Sequence, residues 1–142
     1  PDVIAHNVET VKGLTSSIRD HRASYQQSLG ILSYIKEFTP NFITKTSLML
    51  GLGESNEDVR QAMADIRAAG VDVLTIGQYL RPGKAQAPVD RYVHPETFDA
   101  LADYARSLGI GYVAAGPFVR SSYHAADYYS FITEGKRADN GR

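Results

Sequence analysis

Not one of the 142 residues is cysteine or tryptophan, and only two are methionine. Without cysteine the chain forms no disulfide and cannot by itself build a thiolate metal site. No apolar run approaches the roughly 20 residues that a membrane-spanning helix needs. Neither sign of charge dominates: 15 Lys and Arg stand against 16 Asp and Glu, which leaves no electrostatic footprint for nucleic acid or an anionic membrane. What remains is an ordinary globular mixture, 43% apolar and 22% charged, enough for one domain with a real core or a piece of a larger one. The opening, "PDVIAHN", reads as the end of a short strand in the middle of a fold, so a fragment is expected.

Helical and strand patterns then alternate. Val8, Val11, Leu14 and Ile18 recur at helical spacing and predict an amphipathic helix. A second helix is predicted from Tyr25 to Phe38, with Tyr25, Leu29, Leu32 and Ile35 on one stripe, stopped by Thr39–Pro40. The run at Leu48–Leu50 fits a strand buried on both faces. Ser55 and Asp58 form a variant of the capping box for a helix with Val59, Met63 and Ile66 inward and Gly70 at its end. "VDVLTIGQYL" is a further buried strand, "HPETFDALADYARSLG" a helix with proline in its first turn, and "IGYVAAG" the last strand. A faint repeat runs through this half: Arg67, Gly70 and Gly77 are spaced as Arg106, Gly109 and Gly116 are. Successive units of this kind imply right-handed βα connections and a parallel sheet.

Polar residues gather after the predicted strand ends, in "HNVET", "GLGES", "GQYLRPG" and "GPFVRSSYH". That is the edge at which parallel α/β folds bind ligands. Asn7 and Glu9, at alternate positions, would share a face and hydrogen-bond a diol such as a ribose; the competing reading makes Asn7 a helix cap and Glu9 a complement to the helix dipole. Gly51 and Gly53 permit a sharp turn or close approach of a ligand, but the spacing fits neither phosphate fingerprint. His21 and His94 fall in turns and read as solvated. Tyr128, Tyr129 and Phe131 would dock a short helix, so 1–125 reads as the main unit and 126–142 as a C-terminal helix and polar tail.

Taken together, "PDVIAHNVETV", "RASYQQSL", "KTSLMLGLGE", "VDVLTIGQYLRP", "RYVHPETFD" and "GPFVRSSYHA" resemble the lipoyl synthases of the radical S-adenosylmethionine superfamily along nearly the whole chain. "RSSYH" after "GPFV" is highly specific; "GLGE" alone is weak. The resemblance implies an α/β fold, the second half of a parallel partial (β/α) barrel. It implies insertion of two sulfur atoms into an octanoyl chain on a lysine of a lipoyl carrier domain, in 2-oxoacid dehydrogenase subunits or the glycine cleavage H protein. It implies two [4Fe-4S] clusters and S-adenosylmethionine: one cluster cleaves S-adenosylmethionine to a 5′-deoxyadenosyl radical, and the auxiliary one is consumed as the sulfur donor.

Residue by residue, Ser122 is similar to the serine that ligates the auxiliary cluster, with Ser121 as the alternative, and Arg120 would stabilise the anionic cluster or the deprotonated serine. Asn7 and Glu9 match the ribose-binding segment of the related biotin synthases. Gly51 and Glu54 match the superfamily's glycine-containing strand motif, whose usual first glycine is Ser47 here. Gln78 lies in the "IGQYL" strand, whose backbone lies against the adenine in the family, and Arg22 is a candidate for the S-adenosylmethionine carboxylate. Both cysteine triplets of the family are expected before Pro1, so the chain alone is expected to be inactive. A biotin-synthase-type enzyme and a non-catalytic truncated half-barrel are the alternative readings. The compartment stays open between mitochondrion, plastid and bacterial cytoplasm.

Overall fold

A computed structural model describes residues 3–121; Ser122 and the expected C-terminal helix and tail, 126–142, lie outside the described residues. The elements run β1 (Val3–Ala5), a 3-10 turn (Lys12–Leu14), α1 (Thr15–Ile18), α2 (Tyr25–Phe38), β2 (Ile43–Leu50), α3 (Asn56–Ala68), β3 (Val73–Gln78), α4 (Pro95–Ser107) and β4 (Tyr112–Gly116). The four strands are all parallel, in the spatial order β1-β2-β3-β4. A sheet whose strands follow chain order has all its crossovers running one way, and right-handed crossovers then put the helices on one face. This is compatible with a partial (β/α) barrel.

The main core lies on the helix side. Leu48, Leu50, Leu74, Ile76 and Val113 pack there with Leu29 and Leu32 of α2, Val59, Met63 and Ile66 of α3, and Phe98 and Leu101 of α4. Tyr25 fixes α2 to α3 by donating its hydroxyl to Asp65 at 2.7 Å. The opposite face carries the alternate residues of each strand, and it changes character from one end to the other. At the N-terminal end Ile43 and Val73 pack with Val3 and Tyr112. Two residues up β3 and β4, Val73 and Tyr112 give way to the paired Thr75 and Ala114, and two further to the paired Gly77 and Gly116. Shrinking side chains leave space at the C-terminal rim of this face.

The capping box is formed: Ser55 Oγ accepts from the Asp58 amide and Asp58 accepts from the Ser55 amide, 3.1 Å each. The spacing of Val8, Val11, Leu14 and Ile18, in contrast, does not mark one helix. Val8 and Val11 are buried from irregular backbone, and only the 3-10 turn and the four residues of α1 coil. The reason is that this segment first continues pairing with β2. His6 donates to the Lys45 carbonyl, Glu9 donates to the Ser47 carbonyl, and the Glu9 carbonyl accepts from Met49 at 2.8 Å. Three residues on this side span two on β2, so one is extra and the segment bulges. Thr46 Oγ1 takes up the spare amide of Val8 at 3.0 Å.

Candidate functional site

The bulge makes the site. It holds Glu9 at φ 73°, where a side-chain-bearing residue is uncommon, and it brings Asn7 and Glu9 to the same rim. Asn7 does not cap a helix; Val11 precedes the first helical turn. Between this rim and the loop after β4 lies a hollow of about 280 Å³. Its floor includes Ser47, Met49, Thr75 and Gly77, with Leu80, Val119, Arg120 and Ser121 on the far side. Gly77 is what lets the far side close in. A Cβ there would run into the carbonyl oxygen of Val119, so only glycine admits the loop that carries Arg120 and Ser121. The Arg120 guanidinium is turned back onto its own loop, donating to the carbonyls of Val119 (2.8 Å) and Pro117 (3.3 Å).

Behind the rim sits a second construction, a latch. The Glu54 carboxylate is wholly buried and accepts from the amides of Gly51 (2.7 Å) and Leu52 (2.9 Å). The Gln78 amide nitrogen donates to the carbonyls of Tyr79 and Arg91, and its oxygen accepts from Val93. Gly51 takes φ 98° against Gln78 and the Arg91 carbonyl, where a Cβ would collide with both. Arg91 in turn donates to the Glu54 carbonyl at 3.1 Å. Gly51 and Glu54 therefore hold the β2–α3 turn to the segment 90–93. Gln78 belongs to this latch through its side chain although it borders the hollow.

No family model matches the chain. Curated relatives do. It is 52% identical over 139 residues to a lipoyl synthase of Methanocella arvoryzae, 97% of this chain and 47% of that protein. It is 55% identical over 128 residues to a mitochondrial lipoyl synthase of Caenorhabditis elegans, 90% of this chain and 36% of that protein. To a chloroplastic lipoyl synthase of Arabidopsis thaliana it is 54% identical over 128 residues, 90% of this chain and 32% of that protein. Over at least 90% of its length this chain is similar to lipoyl synthases. It spans about a third to a half of the length of these relatives.

The remaining candidates lie apart from the hollow. Arg22 is exposed and donates to Asp20 at 3.3 Å. It borders a neighbouring depression with His6, Arg19 and Ser28. There Ser28 Oγ lies 3.2 Å from His6 Nε2 and accepts from Arg19 at 2.7 Å. Burial lowers the His6 pKa below its ordinary value, the Arg19 charge lowers it further, and the Glu9 carboxylate pulls it partly back. His21 and His94 are exposed, as their positions in turns imply. Among the described residues no three His, Cys, Asp or Glu come together to hold a metal, and no helix is long and apolar enough to cross a membrane. Thr75 escaped the reading of the sequence, and Ser47 entered it only as a departure from the glycine-containing strand motif. Their signal was present: each is a hydroxyl at an alternate position of a buried strand, on the face opposite the main core.

Proposed function

We infer that the whole protein to which this segment belongs is an S-adenosylmethionine-dependent lipoyl synthase. It inserts two sulfur atoms into an octanoyl chain on a lysine of a lipoyl carrier domain, of 2-oxoacid dehydrogenase subunits or the glycine cleavage H protein. The segment contributes the C-terminal half of the barrel, and the hollow on its inner face receives S-adenosylmethionine. The observation that carries this reading is the bulge that sets Asn7 and Glu9 side by side on the rim.

The donor set fits such a ligand. A carboxylate and a carboxamide on one rim suit the two hydroxyls of a ribose, the first accepting and the second donating or accepting. Met49, Leu80 and Val119 offer apolar contact for a flat base, and Gly77 keeps the floor low beside it. Asn7 and Glu9 orient the nucleoside; the bulged backbone fixes both before the ligand arrives. S-adenosylmethionine, once bound, supplies the group that removes hydrogen from the substrate chain.

The iron–sulfur clusters do not fit the residues present. The chain has no cysteine, and what it offers a cluster is a hydroxyl at "RSSY". Ser121 stands exposed at the rim of the hollow; Ser122, the preferred ligand, is outside the described residues. The relatives from C. elegans and A. thaliana are named for mitochondrion and chloroplast, which supports an organellar setting for this protein as one of its options.

The test uses the full-length protein. Changing Asn7 or Glu9 to Ala is expected to weaken S-adenosylmethionine binding by on the order of 1 kcal/mol, with iron content unchanged. Ser122→Ala is expected to leave that affinity intact while lipoyl product falls sharply, and Ser121→Ala to do less. Loss of iron with unchanged affinity in the Asn7 and Glu9 variants would overturn the ribose assignment. Normal product from both serine variants would overturn the ligand assignment.

A further inference from the structure

Ser47 and Thr75 are register partners on β2 and β3, and their hydroxyl oxygens lie 2.6 Å apart. Both are buried, 6% and 1% exposed, yet both border the hollow. Each hydroxyl has one proton to donate and lone pairs to accept. Among the described residues the bond between them is the only one either side chain makes. One bond uses one proton. Whichever hydroxyl donates, its partner retains an O–H with no acceptor among the described residues.

The surroundings limit where that proton goes. The next residue in the same row, Ala114 on β4, has no polar side-chain atom. The Ser47 carbonyl is already taken by the Glu9 amide. A buried donor left unmatched is destabilising, so the hollow is the side from which an acceptor for this proton would come.

We propose that the Ser47–Thr75 hydroxyl pair is a ligand-binding element, which donates its remaining proton to an acceptor oxygen or ring nitrogen of the nucleoside in the hollow. It rests on the reading of the hollow as the S-adenosylmethionine site. It adds to the rim a second polar contact from the floor, on rigid strands, and so selects for a ligand with an acceptor at that depth. The two hydroxyls act as one unit, because removing either leaves the other free to rotate its single proton elsewhere.

The experiment is a binding cycle in the full-length protein, with S-adenosylmethionine and S-adenosylhomocysteine as probes and the dissociation constant read by calorimetry. Thr75→Val keeps the side-chain shape and Ser47→Ala removes the other hydroxyl at small cost in volume. Each is expected to weaken both probes roughly three- to tenfold, and the double variant to be no weaker than the worse single one. Melting of the unliganded protein is expected to change little, which separates the effect from misfolding; if Thr75→Val fails to fold, Ser47→Ala decides alone. Unchanged affinity in folded hydroxyl variants, or fully additive losses, overturns the proposal. Asn7→Ala run beside them distinguishes the causes. If Asn7→Ala weakens binding and the hydroxyl variants do not, only the pair is refuted. If none of the variants changes affinity, or the unaltered protein does not bind the probes, the reading of the hollow falls as well.

Discussion

At the scale of single residues, Glu9 carries two demands that oppose each other. Its carboxylate is wanted at the rim, but its backbone lies at φ 73°, a region in which a Cβ costs roughly 1–2 kcal/mol. Strain of this kind persists where the surroundings over-determine it. Here the two ladder bonds to Ser47 and Met49 on β2 do so. Glu9→Gly relieves the strain and deletes the carboxylate together. We expect it to raise the stability of the folded protein by up to about 1 kcal/mol while weakening S-adenosylmethionine, whereas Glu9→Ala weakens binding without that gain. Denaturant melts of the two variants, set beside their affinities, check this. Equal stability for Gly and Ala at position 9 would mean that the left-handed backbone is not retained in solution. Such a residue was only half legible in the sequence. That Asn7 and Glu9 share a rim could be read from their spacing; that a bulge, and not simple alternation, puts them there could not, because the extra residue is fixed by the Lys45 and Ser47 carbonyls, far along the chain from their partners His6 and Glu9. Glu54 and Gln78 show the same limit. Their types suit a ligand or a latch equally, and only tertiary geometry turns both inward upon the loop backbone.

Elements were more legible where local chemistry decides them. The α2 boundaries, Tyr25–Phe38, agree with the stripe and the Thr39–Pro40 stop, and the capping box begins α3 where Ser55 and Asp58 mark it. The glycine repeat has a concrete meaning. Gly70 and Gly109 end α3 and α4 at φ 80° and 96°, and Gly77 and Gly116 are register partners at the ends of β3 and β4. What separates those two glycines is the loop after β4, which crosses Gly77. The consequence is testable at this scale. Gly77→Ala puts a methyl into the path of the Val119 carbonyl, a collision with backbone that no side-chain rotation relieves. We expect the β3 strand to persist, since its pairing with β2 and β4 is intact, and the 117–121 loop to be displaced, taking Arg120 and Ser121 from the rim. Far-ultraviolet circular dichroism close to that of the unaltered protein, with lipoyl product reduced at least tenfold in the full-length protein, is the expected outcome. Full product from Gly77→Ala would show that the loop position does not matter.

On the scale of the whole molecule, the four-stranded sheet keeps two edges. Among the described residues, β1 pairs only with β2 and β4 only with β3, so each offers a row of backbone groups to another chain. Apolar side chains accompany them. The stripe of Tyr25, Leu29 and Leu32 faces the core from α2, but Ile31, Tyr34 and Phe38 form a second stripe on the same helix, 37%, 61% and 63% exposed. The rings of Tyr34 and Phe38 stack with centroids 4.4 Å apart. A helix apolar on two sides expects a neighbour on both. Expressed by itself, the 142-residue chain is therefore expected to self-associate, and sedimentation velocity over a hundredfold range of concentration is expected to show the apparent mass rising. The double variant Tyr34→Ser, Phe38→Ser removes the second stripe without touching the core, so it is expected to shift association to higher concentration while leaving helix content unchanged. A monomer at all concentrations, melting in one sharp transition independent of concentration, would show that neither the edges nor the aromatic stripe seeks a partner.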